Sequence, residues 1–489
     1  MAKTWSRAFA QPAIEFPPTV LPVLDGRLPE DLRGSYYHNG PGRLERGGQR
    51  VGHWFDGDGA IVGVQFGGGV DNQATATYRY VRSAGFEQED RADRFCFGNY
   101  GMTHPGPLWQ RWGKDLKNAA NTSVLALEDR LLALWEGGAP HALDLHSLET
   151  HGLDRLGLAA KDSYSAHPKR DPRSGLIYNF AVSLGPQATL QLYCHDRHGQ
   201  LQRRNAIPLE GLPLIHDFAL AGDYLVFCVP PVRLNLWPAA LQLQSFSDSL
   251  VWKPELGTEI LICDRHSLAL VSRHSVDPWF QWHYSNGWLD DRGNLGVDLV
   301  RYPDFTTNQY LKQVATGQVS LQAPGQLWRM VLDPKTAHLL DSQPLSATWA
   351  EFPQVRPDCV GQAPPRDSQG KAGQGTAFVQ HRPDRDPAGE LFGAIGYLDP
   401  SGAITVTDLG EDRYPCEPIW AGDWWLTLVF DGAQHQSELW VWQADRPGAD
   451  PVCRLLLPEV IPYGFHGTWV SAPAAASAAA SAAASVATV

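Results

Sequence analysis

A chain of 489 residues is long enough for two or three average domains, or for one large β architecture. Its 47 glycines, 37 prolines and 18 tryptophans favour short strands joined by turns over a helical body, and a core of that size needs no disulfides. A net charge of −13 argues against a nucleic-acid partner, because phosphate neutralisation needs clustered Lys and Arg. The seven Cys form no CxxC pair and are odd in number, which fits a reducing cytosol better than a disulfide framework. The first residues lack the apolar run of a signal peptide, and no stretch approaches the ~18 uninterrupted apolar residues of a membrane span. A cytoplasmic protein is expected.

Strand-like segments pair along the chain: 124–127 with 131–135, 177–183 with 190–194, and 224–229 with 259–263. Segment 327–332 follows, then 391–398 with 404–408, and 424–430 with 438–443. Turn signals separate them, among them Asp58-Gly59, Leu332-Asp333-Pro334, Leu398-Asp399-Pro400-Ser401-Gly402 and Asp431-Gly432. Hairpins recurring every few tens of residues without a strict motif predict an all-β propeller of divergent blades, with a large β-sandwich as the alternative. Short helices are expected only near the loop around Pro105 and over 239–249. The polar, Gly- and Pro-rich segment 361–375 reads as a long propeller loop rather than a linker, so 1–471 reads as one domain. From Ala472 to Val489 the Ala/Ser runs have no apolar face to dock and read as a frayed tail without a catalytic role.

Four of the seventeen His lie inside apolar or aromatic segments: Ser165-Ala166-His167-Pro168, Leu214-Ile215-His216-Asp217-Phe218, Trp279-Phe280-Gln281-Trp282-His283 and Tyr463-Gly464-Phe465-His466-Gly467. A neutral imidazole there needs a hydrogen-bond partner or a metal, and for any one of them alone a satisfied core histidine is the better reading. Three carboxylates sit in equally apolar settings, in Trp135-Glu136-Gly137, Ala350-Glu351-Phe352 and Cys416-Glu417-Pro418. Each needs an Arg or an N–H donor, and metal-bound His rings would supply the latter. Spacing alone decides neither question. His195-Asp196-Arg197-His198 reads as a solvated hairpin loop rather than a metal site.

An ordered set of motifs, Tyr37-His38-Asn39-Gly40-Pro41-Gly42, Trp54-Phe55-Asp56-Gly57-Asp58-Gly59, Asn118-Ala119-Ala120-Asn121-Thr122 and Leu132-Ala133-Leu134-Trp135-Glu136-Gly137-Gly138 among them, resembles that of the carotenoid cleavage oxygenases from about Gly34 to Trp469. The resemblance continues through Ser165-Ala166-His167-Pro168, Ile215-His216-Asp217-Phe218, Pro324-Gly325-Gln326-Leu327-Trp328, Glu351-Phe352-Pro353, Cys416-Glu417-Pro418 and His466-Gly467. It implies a seven-bladed propeller whose short helices and long loops cap one face over an axial iron(II). The implied ligands are His167, His216, His283 and His466. The implied carboxylate partners are Glu136 for His216, Glu351 for His283 and Glu417 for His466, leaving His167 without one. Around His283 the chain departs from the family in bulk, reading His283-Tyr284-Ser285-Asn286-Gly287-Trp288, and His274 is the weaker alternative ligand.

Imidazole suits several metals, but four His leave an octahedral iron(II) two free positions for O₂ beside an alkene, whereas zinc cannot do redox chemistry. No organic cofactor is expected, since there is neither a strand-linked GxGxxG nor a P-loop. The resemblance thus implies a dioxygenase that cleaves a C=C bond of a carotenoid or apocarotenoid, at 15,15′ of apocarotenals, giving retinal-type aldehydes. Trp135, Leu214, Trp282 and Phe352 adjoin the metal-site segments and are candidate tunnel walls, and Thr122 matches a position flanking an open coordination site. The segment 230–252 is apolar but too short and polar to span a bilayer, and Trp237, Leu241 and Phe246 are candidates for a membrane-facing tunnel mouth. The expected partners are therefore a lipophilic polyene, O₂ and a membrane surface, with no obligate protein partner evident. Three rivals remain. A stilbene oxygenase would hold a phenol with Tyr100 and Lys117, a binding scaffold would hold no metal, and a lactonase-type hydrolase would need Asp, Glu or Asn on the axis.

Overall fold

Middle strands in the chain are more apolar and more buried than their outer neighbours, and this gradient reports the architecture. Residues of Thr258–Asp264 are mostly buried, whereas the paired Leu270–Val276 is mostly exposed. The same step separates Thr189–His195 from Leu201–Pro208 and Gln326–Leu332 from Leu339–Pro344. A strand sandwiched between neighbouring sheets buries both faces and selects apolar residues on each; a rim strand meets water. The computed structural model describes residues 3–68, 72–185, 187–363 and 375–472. Most of the 361–375 loop and nearly all of the Ala/Ser tail lie outside the described residues.

The architecture is a β-propeller, mostly β with four short α-helices among the described residues. Five blades are four-stranded antiparallel units, beginning at Ser123–Ala126, Lys169–Arg170, Ala219–Ala221, Tyr284–Leu289 and Ala350–Val355. The third and fourth are fused into one eight-stranded sheet by a parallel bridge between Ala221 and Gly287. A Cβ on Gly287 would stand 2.7 Å from the Ala221 Cβ, so only glycine permits that approach. Regular blades therefore number five rather than the expected seven. The rest of the ring is closed by two larger sheets that mix both ends of the chain. Gly467–Ser471 pairs with Gly34–Arg43 in one, and Val23–Gly26 pairs with Cys453–Leu456 in the other. Such closure removes exposed sheet edges at the seam.

The strand pairs expected from sequence all form, with bounds shifted by a few residues. The largest trimming is at 391–398, where the strand is only Ala394–Leu398. The helix expected over 239–249 instead spans Leu236–Ala240, followed by a 3₁₀ turn at Ser247–Ser249. Pro238 suits a first helical turn, and Gln242 at φ 52° cannot continue the helix. Helices Ala84–Ala92 and Thr306–Val314 were not expected from sequence, whereas Leu108–Arg111 lies where one was expected near Pro105. No helix among the described residues is long and apolar enough to cross a membrane.

Candidate metal centre

Each of the four histidines stands just before a strand: His167 before Lys169–Arg170, His216 before Ala219–Ala221, His283 before Tyr284–Leu289 and His466 before Gly467–Ser471. Strands of separate sheets converge on the propeller axis, so the position preceding the strand is where side chains from distant sequence meet. One nitrogen from each of His167, His216, His283 and His466 lies within 4.8 Å of the others. His274 is elsewhere, its ring 4.1 Å from that of His338. His195 is not in a solvated loop: it is buried at the end of Thr189–His195, with Nε2 3.2 Å from the Leu156 carbonyl.

The carboxylates stand behind this ring. His283 Nδ1 lies 2.6 Å from Glu351 Oε2, His466 Nδ1 lies 2.8 Å from Glu417 Oε1, and His216 Nδ1 contacts Glu136 Oε1. His167 Nε2 is 4.0 Å from Glu136 Oε1, beyond hydrogen-bond reach, and has no hydrogen-bond partner. Glu351 and Glu417 are fixed in turn: Glu351 accepts from the Tyr302 hydroxyl at 2.6 Å and the Phe352 N–H at 2.8 Å. Glu417 accepts from Gln354 Nε2 at 2.6 Å and the Gly467 N–H at 2.8 Å. Burial pushes the Glu351 carboxyl up to about 7, while the donors around it pull the other way. Burial first, and the neighbouring imidazoles next, hold His167 and His283 well below the ordinary histidine range, so both rings are neutral.

This donor set fits a cation. With Nδ1 of His216 and His283 directed at carboxylates, both Nε2 atoms carry lone pairs, yet they approach to 3.3 Å. Two lone pairs facing each other in a buried site repel, and the orphaned Nε2 of His167 beside them adds to the cost. A divalent ion shared by the four nitrogens removes that penalty, and the carboxylates orient the rings and raise their basicity.

Phe352 explains how two adjacent residues both serve the site. Successive side chains on a regular strand face opposite ways. Phe352 has φ 52°, and the pairing of Ala350–Val355 slips between Glu351 and Gln354. That left-handed residue carries strain on the order of 1–2 kcal/mol. It lets Glu351 reach His283 while the Phe352 ring lies 5.2 Å from the His283 ring at 29°. Trp282 packs edge-on to His216 at 4.7 Å.

The centre opens into a cavity of about 310 Å³ lined by Thr122, Trp135, Leu214, Trp282 and Phe352 among others. Phe246 reaches the same cavity, whereas Trp237 and Leu241 lie outside it as exposed side chains. Trp237 is 77 % and Trp109 71 % exposed, and the Trp112 indole donates to the Leu241 carbonyl, which joins the two short helices into one apolar patch. The Leu108–Trp112 half of that patch was not singled out from sequence, because a helix of about one turn shows no periodicity to read. Tyr302 and Gln354 were also missed; nothing in their local sequence marks them as partners of a buried Glu.

A β-propeller with an axial ring of four histidines, three of them backed by carboxylates, and an apolar access cavity is the frame of a metal-dependent oxygenase. Residues 9–471 match the retinal pigment epithelial membrane protein family, and the chain belongs to this family of carotenoid cleavage oxygenases, as an enzyme of that class. It is 31 % identical over 469 residues to the apocarotenoid-15,15′-oxygenase of Synechocystis sp., covering 91 % of this chain and 92 % of that one. It is 26 % identical over 481 residues to resveratrol cleavage oxygenase 1 of Aspergillus fumigatus, covering 91 % of each. The solved structure of cobalt-substituted Synechocystis apocarotenoid oxygenase superposes with a TM-score of 0.84 at 30 % identity, covering 96 % of this chain and 98 % of that chain.

Proposed function

We propose that this protein is an iron(II) dioxygenase that splits a C=C bond of an apocarotenoid, at 15,15′ of an apocarotenal, with His167, His216, His283 and His466 as ligands. The observation that carries this reading is the ring of four converging imidazole nitrogens at the base of a largely apolar cavity. Iron bound there would supply O₂ activation, so that one O₂ adds across one double bond and two carbonyl products leave. Trp282 and Phe352 pack against the ligand rings and present flat apolar faces to the cavity, suited to a conjugated chain. The Thr122 hydroxyl, donating to Asn121 Oδ1 at 3.2 Å, borders the same space. Glu136, Glu351 and Glu417 hold the ligand rings in one tautomer, which keeps the coordinating lone pairs aimed inward.

In this reading residues 1–471 form one domain. The apolar patch of Trp109, Trp112, Trp237 and Leu241 beside the cavity-lining Phe246 supports peripheral membrane contact, through which a water-insoluble substrate enters a cytoplasmic enzyme. The stilbene alternative is disfavoured by Lys117, whose ammonium is buried between Asp58 and Glu89 rather than lining the cavity. Tyr100 does line it, but its hydroxyl donates to Asn308 Oδ1 at 2.8 Å.

The test is aerobic incubation of several apocarotenals and resveratrol, with products identified by mass and ¹⁸O₂ incorporation, alongside metal analysis. Two aldehydes from an apocarotenal and about one iron per chain are expected. Cleavage of resveratrol alone, or an iron-replete and active His283→Ala, would overturn the assignment.

A further inference from the structure

The cavity at the metal centre is also walled by Leu311, Ala323, Trp349, His381 and Phe392. Trp349 and His381 lie just beyond the first rung of the fifth blade: Ala350 pairs with Gln380, and the His381 N–H donates to the Trp349 carbonyl at 3.1 Å. Trp349 is two residues before Glu351, roughly 7 Å along the strand. The His381 ring is held edge-on by Trp349 at 5.2 Å and tilted against Phe392 at 5.0 Å. Phe392 lies just before the strand Ala394–Leu398, and at Gly393 a Cβ would meet the Arg382 guanidinium at 2.1 Å.

Other polar groups at this end are committed. The Tyr302 hydroxyl donates to Glu351, while the Tyr414 and Tyr310 hydroxyls donate to the Glu390 carboxylate and carbonyl. His381 is only 6 % exposed, yet neither ring nitrogen hydrogen-bonds to a described residue. Burial pulls the ring down to about 4, so it stands in the cavity as neutral imidazole, one N–H donor and one acceptor. A neutral imidazole that borders a ligand cavity and has no protein partner is free to take its hydrogen bond from the ligand.

We propose that His381 is a specificity-determining residue that hydrogen-bonds an oxygen function, hydroxyl or carbonyl, on the terminal group of the polyene lodged between Trp349 and Phe392. The enzyme thereby discriminates between chains of equal length by whether that end is oxygenated. This rests on the polyene-cleavage reading above, but its chemistry concerns binding and is measurable without turnover.

The experiment compares two apocarotenals that differ only by a hydroxyl on the end ring, binding each to the metal-loaded wild type, His381→Leu and His381→Gln. Affinity is read from tryptophan quenching, and kcat and KM are read in parallel. Wild type should favour the hydroxylated polyene by roughly tenfold, the order of one buried hydrogen bond. His381→Leu should erase the preference through affinity and KM with kcat little changed, and His381→Gln should restore part of it. If the Leu variant does not fold, His381→Phe fills the same space and serves instead. Equal affinities in wild type, or an undiminished preference in the Leu or Phe variant, overturn the proposal. Cleavage with unchanged discrimination sinks this inference and leaves the function standing; discrimination without cleavage does the reverse.

Discussion

Replacing Glu351 by Gln should separate fold stability from metal binding. The carboxylate accepts three hydrogen bonds: from His283 Nδ1 at 2.6 Å, the Tyr302 hydroxyl at 2.6 Å and the Phe352 N–H at 2.8 Å. A Gln amide is nearly isosteric, and its oxygen can face His283 and Phe352 while its NH₂ turns to the tyrosine oxygen. The contacts survive, but the charge that strengthens them does not. A hydrogen bond to a charged group contributes about 1.5–3 kcal/mol, against about 0.5–1.5 kcal/mol for a neutral pair. Two such bonds weakened by about 1 kcal/mol each amount to roughly 30-fold, within the 10–100-fold typical of removing a carboxylate behind a metal-bound His. The folded protein does not suffer equally, because burial already disfavours the charged form of Glu351. The expected result is unchanged or slightly higher thermal stability without metal, iron affinity weakened by roughly 10–100-fold, and turnover per iron reduced. Affinity is read by chelator competition and stability by calorimetry. Wild-type iron affinity in Glu351→Gln would refute the view that this carboxylate tunes the centre through His283.

Trp109→Glu combined with Trp237→Glu should weaken binding to liposomes and slow cleavage of membrane-embedded substrate, while cleavage of detergent-dispersed substrate changes little. Unchanged liposome binding would leave the patch without a membrane role. Acid should destabilise the fold through buried neutral histidines such as His195, which burial holds at about 4 against an ordinary 6.5. Between those values the unfolded chain takes up a proton that the native ring refuses, so stability falls as pH drops from 6.5 towards 4 and the loss levels off below. For this fully buried ring the window is worth at most roughly 3 kcal/mol. Urea midpoints at pH 7 and 5 should differ less in His195→Gln than in wild type, and an equal difference in both would contradict the assignment.

The blade cores were legible in the sequence because middle strands bury both faces, so 177–183, 224–229 and 424–430 stand out as apolar runs between turn signals. Rim strands such as Leu201–Pro208 and Leu270–Val276 were not, since strands facing water carry no apolar signature. Local context likewise singled out the four histidines and three glutamates as polar groups in apolar surroundings that need partners. Which partner each takes was not in the local sequence; resemblance alone suggested it, because those residues lie tens to hundreds of positions apart and meet only where strands of different sheets converge on the axis. Three features belong wholly to the tertiary structure. The left-handed turn at Phe352 places neighbouring Glu351 and Phe352 side chains together, against the alternation that sequence reading assumes. The fate of Lys117, locked between Asp58 and Glu89, depends on three segments folding onto one another. The cavity face of His381 exists only because Trp349 and Phe392 are brought to its two sides by one blade. Strand identity follows from local burial patterns, which a chain carries in its own residues; a site is a meeting of remote side chains, which only ring closure brings about.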